Sequence, residues 1–272
     1  MLSWVIIQGA ACLSSVHGHG AYHDVVSEIS QALERSPEDA ALRFKLACAH
    51  QEHGEWTLAL AELERVDRLA PGVHGTGFVR GQALAAGNHW QAAKGVLDQF
   101  LQDHAGHAGA LVQRGRVLLK LQKPEEAGKD FEKALGLQSN APVDWWLDAA
   151  QAGDAVGTLR RALNAAGSDP QLLSASLDAE LKAGSFDEAL QRLAELQRTA
   201  PRPEPWMARR AEVLQAAGRA AEARAAWTLL RTHLLALPNL ERGTPLLAGV
   251  FAQTEKALGA ASPAPVIAPP KS

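Results

Sequence analysis

A pattern of small and large apolar residues recurs at 34-residue intervals along much of the chain, and it restricts the possible fold more than any other feature. The pattern is clearest in residues 109–141, where the small residues Gly115 and Ala127 and the large Phe131 stand at fixed offsets. Residues 122–124 interrupt it, and proline at position 124 suits the first turn of a helix but no later position. Each repeat therefore predicts two short helices packed back to back. Such a hairpin cannot bury its apolar face alone, so it must stack on neighbouring hairpins.

Three consecutive repeats begin at Ala40, His74 and Ala108, and two more, again 34 residues apart, begin at Pro170 and Glu204. Small residues at the eighth and twentieth positions let the two helices of a hairpin approach closely. In the first three repeats these small residues are Ala47, Gly81, Gly115, Ala59, Ala93 and Ala127, and the twenty-fourth position holds Leu63, Leu97 and Phe131. Residues 142–169 make a fourth repeat that is six residues short, so we expect a kink in the stack there.

This spacing and these positions resemble the tetratricopeptide repeat family, over about residues 37–235. The resemblance implies an all-α fold, an α-solenoid of stacked helical hairpins wound into a right-handed superhelix, with about six hairpins in residues 38–237. We expect a capping helix at residues 21–37 and another at residues 238–260, because the two ends of a stack need a cover. The tail, residues 261–272, is rich in proline and is expected to be disordered.

Residues 1–20 carry no charged side chain and have an apolar core that is too short to span a bilayer. The length of this core is typical of a removable signal peptide, although no positive residue follows Met1. We therefore predict export to the periplasm or secretion, as in exported bacterial members of the family, with no membrane span left after cleavage. The alternative is a buried first helix in a cytoplasmic protein.

Composition and motifs exclude several classes of function. The net charge of -3, the pI near 6.4 and the lack of a basic run argue against a nucleic-acid partner. Phosphate-binding, zinc-protease, nucleophile-elbow and paired-cysteine motifs do not occur, so we predict no catalysis and no cofactor. His50 and His53 are three residues apart, but no further ligand of suitable spacing completes a metal site.

The main functional hypothesis is a scaffold that binds a protein or peptide in the groove lined by the first helix of each hairpin. Carried over from the family, the groove positions fall on Phe44, Cys48, Phe78, Gln82, Val112, Arg116 and Lys120. Phe44 and Cys48 replace the Lys and Asn of repeats that hold chaperone carboxylates, so that class of partner is not expected. The alternative for Phe44 and Phe78 is a place in the core between repeats.

Two other hypotheses remain. The histidines His19 and His23 suggest a metal-binding amino terminus, since cleavage after Gly20 would expose Ala21-Tyr22-His23 as a square-planar copper or nickel site. Its alternative is a solvated arm that binds no metal. The other hypothesis is an accessory subunit of an enzyme complex.

Arginines recur at the seventh position of three repeats, where the family often has Leu; they are Arg80, Arg114 and Arg210. We predict a structural role for them, in which the stem packs and the guanidinium reaches water.

Overall fold

The computed structural model describes residues 19–72 and 75–259, with side chains from Tyr22 onwards. All regular secondary structure in these ranges is helical, and no strand is present in them. The described helices are α1 (His19–Arg35), α2 (Ala40–Glu52), α3 (Trp56–Leu69), α4 (Thr76–Ala86), α5 (Trp90–Asp103), α6 (Ala108–Lys120), α7 (Pro124–Leu137), α8 (Val143–Gln151), α9 (Ala155–Ala166), α10 (Pro170–Ala183), α11 (Phe186–Thr199), α12 (Glu204–Ala216), α13 (Ala220–Ala236), α14 (Asn239–Arg242) and α15 (Pro245–Leu258).

Consecutive helices pair into hairpins, which are α2/α3, α4/α5, α6/α7, α10/α11 and α12/α13. The second helix of a hairpin also packs on the first helix of the next, as α3 does on α4 and α5 on α6. In the same part of the chain the first helices contact one another in succession, α2 with α4, α4 with α6 and α6 with α8. This stack of hairpins confirms the predicted α-solenoid.

The turn inside each of these hairpins uses a residue in the left-handed backbone region at the fifteenth position of the repeat. The five residues are Gly54, Asn88, Gln122, Gly184 and Gly218, with φ of 87°, 62°, 60°, 74° and 74°. Glycine adopts this conformation without steric cost, whereas other residues are disfavoured there. The recurrence shows that one turn geometry joins the helices of all five hairpins.

Close approach of the two helices within a hairpin depends on the eighth position. A Cβ placed on Gly115 would lie 2.8 Å from the ring of Phe131, and one on Gly81 would lie 2.6 Å from the side chain of Leu97. Phe131 and Leu97 are almost fully buried. The large side chain at the twenty-fourth position thus occupies the space that a side chain at the eighth position would need. This packing matches the roles that the repeat pattern predicts for small and large residues.

The chain divides into two compact units, an N-terminal unit up to Gly153 and a C-terminal unit from Asp154. The predicted fourth hairpin corresponds to α8 and α9, which have 9 and 12 residues, whereas α6 and α7 have 13 and 14. Within its own unit α8 packs on α7, and within the other unit α9 packs on α10. The two helices of this short repeat thus belong to different units, and the expected kink stays a prediction.

Helices pack on the first and last hairpins at the two ends of the described chain, and their role as caps stays a prediction. The half-buried Val25, Val26 and Ile29 lie on α1, which packs on α2, and α15 buries Leu247 and Val250 against α12 and α13. The greater part of the predicted leader, the tail from residue 260 and the repeat start at His74 lie outside the described residues. Among the helices of the described ranges, none has both the length and the apolar character needed to cross a bilayer.

Candidate functional site

The candidate surface is the face formed by the first helices of the N-terminal unit, α2, α4, α6 and α8, which we call the first-helix face. The family positions expected to bind a partner all lie on α2, α4 and α6. Their exposure divides them into two groups, since three are buried and four keep surface open to solvent.

Phe44, Cys48 and Val112 form the buried group, with 8%, 6% and 2% of their surface exposed. Phe44 and Cys48 belong to a core cluster of the first hairpin, and Val112 belongs to the larger core of the second and third hairpins. These three residues offer little area to a partner in this structure. The position of Phe44 agrees with its alternative interpretation as a core residue.

Phe78 is half-buried at the junction of the second and third hairpins. Its ring lies 6.1 Å from the ring of Phe100 on α5 and 4.7 Å from the ring of His107 before α6. Gln82, one helical turn further along α4, is also half-buried. Phe78 therefore contributes both to packing between repeats and to the exposed edge of the first-helix face.

Arg116 joins α6 to α8 through two ion pairs. Its Nε lies 2.6 Å from Oδ2 of Asp148, and its terminal nitrogen lies 2.7 Å from Oδ2 of Asp144. Burial acts to lower the pKa of Arg116, but the hydrogen bonds and charges of the two aspartates outweigh it and raise the pKa. The positive charge of Arg116 is thus already compensated, whereas the exposed Lys120 at the end of α6 makes no ion pair with a described residue.

Two of the three recurrent arginines, Arg80 and Arg114, form ion pairs between helices, which corrects the expectation that their guanidinium groups simply reach water. Arg80 lies 2.6 Å from Asp67 of the preceding hairpin. Arg114 contacts both carboxylate oxygens of Asp130 at 2.7 Å and also lies 2.8 Å from Asp98. These hydrogen bonds, above all those to Asp130, raise the pKa of Arg114.

Arg210, the third of these arginines, is exposed on α12. The ion pairs of Arg80 and Arg114 had one signal in the sequence, which is the presence of acidic residues on the second helix of each hairpin. Their partners were not identified from sequence because the pairs join residues 13 to 16 positions apart.

The histidines proposed as metal ligands do not gather into a site in the described part of the chain. His23 is exposed on α1, and His19 is the first residue of that helix, with a side chain outside the described set. Nδ1 of His50 instead shares a hydrogen bond of 2.9 Å with the hydroxyl of Tyr22, and His53 stacks on the Tyr22 ring at 3.7 Å. No group of three potential ligands is found among the described residues, and metal binding at the amino terminus stays a prediction.

Comparison with known proteins identifies the repeats. A family model described as tetratricopeptide repeat matches residues 22–74 and 78–142. No curated protein shows a significant match to the sequence.

Solved structures share the fold at low sequence identity. A tetratricopeptide repeat protein from Parabacteroides merdae aligns with a TM-score of 0.53 and 15% identity, covering 86% of this chain and 93% of that one. Yeast Tom70 aligns with a TM-score of 0.51 and 16% identity, covering 88% of this chain and 59% of Tom70. A structure of Naa15/Naa10 bound to HypK-THB aligns with a TM-score of 0.51 and 18% identity, covering 81% of this chain and 34% of that one. The matched segments, which hold most of the residues of α1 to α7, are thus tetratricopeptide repeats, and the same hairpins and turns continue in the C-terminal unit.

Proposed function

We propose that the protein is a non-catalytic scaffold that holds a partner protein or peptide along the first-helix face of its N-terminal unit. Tetratricopeptide repeat proteins are generally non-catalytic and serve protein–protein interaction, and this family membership is the observation that carries the proposal. The successive contacts of α2, α4, α6 and α8 support it, because they place these helices side by side as one continuous surface.

The side chains on the first-helix face that keep surface open to solvent indicate the chemical groups that such a partner carries. Phe78 provides an apolar contact, and Gln82 provides an amide that donates and accepts hydrogen bonds. Lys120 provides a positive charge that no carboxylate of the described residues pairs with. A peptide with an apolar anchor and one acidic side chain fits these three residues. Its acidic group is assigned to Lys120, since Arg116 is held by Asp144 and Asp148.

The test uses the double variant Gln82→Glu/Lys120→Glu, which places negative charge on the exposed surface and leaves the packed Phe78 intact. Partners are captured from a cell-envelope extract and quantified by mass spectrometry. The matched control is Lys133→Glu, which makes the same charge change as Lys120→Glu at an exposed residue of α7, the second helix of its hairpin. We expect capture of a specific partner to fall about tenfold with the double variant, the effect of roughly 1.4 kcal/mol, and to persist with the control. Equal capture by both variants, with unchanged helicity, would remove the first-helix face as the binding surface.

We also propose that residues 1–20 act as an export signal, so that the scaffold works in the periplasm or outside the cell. The support is the uncharged apolar segment of these residues. Amino-terminal sequencing of protein purified from the producing cell should find a chain that starts near residue 19 or 21. An intact Met1 in the periplasmic or secreted fraction would contradict the proposal.

A further inference from the structure

The first turn of α6 is capped by a histidine side chain. His107 stands at the N-cap, and its Nδ1 accepts a hydrogen bond of 3.0 Å from the backbone N–H of Ala110. A backbone N–H can only donate, so Nδ1 of His107 must be unprotonated and the ring proton of the neutral imidazole must sit on Nε2. This side-chain cap therefore exists only while His107 is neutral, whereas the bonds from Ala110 and Leu111 to the carbonyl oxygen of His107 do not depend on the ring.

The ring of His107 also takes part in the junction between the second and third hairpins. It lies 4.7 Å from the ring of Phe78 on α4 and packs edge-on at 5.3 Å against Phe100 on α5. The ring of His104 stacks on the ring of Phe100, with their centres 4.3 Å apart. Nδ1 of His104 lies 3.1 Å from the carbonyl oxygen of Phe100. Since a carbonyl can only accept, Nδ1 of His104 is the donor, and that bond survives protonation of His104 while the cap of His107 does not.

The surroundings of His107 favour its neutral form. At the end of α5 the nearby charged groups are Asp103 and His104, and the next charged residues along α4 and α6 are Arg80 and Arg114, both held by aspartates. Burial lowers the pKa of His107, and the nearby His104 acts in the same direction. A positive charge at a helix N-terminus is also opposed by the helix dipole.

Other helices of the chain use a carboxylate for the same purpose. Asp39, Asp154 and Asp169 cap α2, α9 and α10 by accepting backbone N–H groups of the first turn. An aspartate remains an acceptor down to about pH 4, whereas a histidine is lost as an acceptor around or below about pH 6.5. The cap of α6 is therefore sensitive to mild acid in a way that these three caps are not.

We propose that His107 makes the junction between the second and third hairpins acid-sensitive, because protonation removes the cap of α6 and loosens the packing of Phe78 and Phe100. The inference does not depend on the proposed binding surface. Because the folded state favours neutral His107, the unfolded chain binds more protons as pH falls, and the stabilisation present above about pH 6.5 is lost on acidification.

The test is hydrogen exchange of the Ala110 and Leu111 amides in the full chain, measured by NMR between pH 7.5 and pH 5.0 and corrected for the intrinsic exchange rate. We expect protection at these amides to fall about five- to tenfold on acidification, in keeping with the loss of one helix cap. The variant His107→Asp, which copies the caps of α2 and α10, should keep its protection over this range. The control His104→Gln should retain the acid sensitivity of the natural protein. Protection that does not change with pH in the natural protein, or an equal loss in His107→Asp, would overturn the inference.

Discussion

Asn88 and Gln122 adopt the left-handed backbone conformation that Gly54, Gly184 and Gly218 adopt in the other hairpins. For a residue with a Cβ this conformation costs about 1–2 kcal/mol, and Asn tolerates it better than Gln. Gln122 is exposed, and its backbone N–H bonds only to Leu119 in the turn. Its side chain thus adds strain to the turn without a described contact that compensates.

We therefore predict that Gln122→Gly stabilises the protein. Relief of about 1–2 kcal/mol of backbone strain is partly offset by the greater entropy of glycine in the unfolded chain, about 0.4–1 kcal/mol, which leaves a gain of roughly 0.5–1 kcal/mol. Urea denaturation followed by circular dichroism measures the change.

The matched control for this turn is Gly184→Ala. A Cβ on Gly184 would meet no atom within 4 Å, so the variant adds only the backbone strain of about 1–2 kcal/mol. The lower entropy of alanine in the unfolded chain offsets about 0.4–1 kcal/mol of it, which leaves a net cost of roughly 0.5–1 kcal/mol. A Gln122→Gly variant no more stable than the natural protein would show that the turn relaxes around Gln122.

At the level of the helical element, Gly115 and Phe131 occupy positions that the first hairpin fills with Ala47 and Leu63. Gly115→Ala should destabilise the protein by about 1–3 kcal/mol, because its Cβ would collide with the Phe131 ring. Phe131→Leu should make room for that Cβ. In a double-mutant cycle we expect the pair to cost at least about 1 kcal/mol less than the sum of the single changes. Additive effects would mean that the helices separate to admit the Cβ whatever stands at position 131.

The sequence predicted the helices, the breaks between them and the small and large positions, because these follow from periodicity within one repeat. It did not predict which side chains turn inward at the fifth position, where Phe44 and Val112 are buried and Phe78 keeps an open edge. This difference in burial depends on how each hairpin packs against the next one. The cap formed by His107 was also missed, since histidine at an N-cap has no periodic signal.

At the scale of the whole molecule, each compact unit has its own buried core. The N-terminal unit is built around a cluster that includes Leu97, Val112 and Phe131, and the C-terminal unit has clusters centred on Leu193 and on Trp227. Repeat proteins are stabilised by contacts between neighbours in sequence, so a core of this kind does not require distant parts of the chain.

We predict that residues 19–153, expressed alone, form a helical domain with a cooperative thermal transition, because they retain α1 on one side and α8 on the other side of three complete hairpins. Residues 40–137, which lack both flanking helices, serve as the comparison and should unfold at a lower temperature, since the removal of α1 and α8 exposes apolar faces. Circular dichroism against temperature measures both. A 19–153 fragment without a transition would show that its core needs the rest of the chain.

The fit of Gly115 to Phe131 also bears on how such a chain can change during evolution. Both residues lie in one hairpin, so duplication or exchange of a whole hairpin carries the matched pair with it. A recombination event at the turn within a hairpin would join α2 to α7 and place Ala47 opposite Phe131, where there is no room for a Cβ. Crossovers in the loops between hairpins preserve every such match, and natural variation in repeat number is therefore expected to enter the gene at those loops.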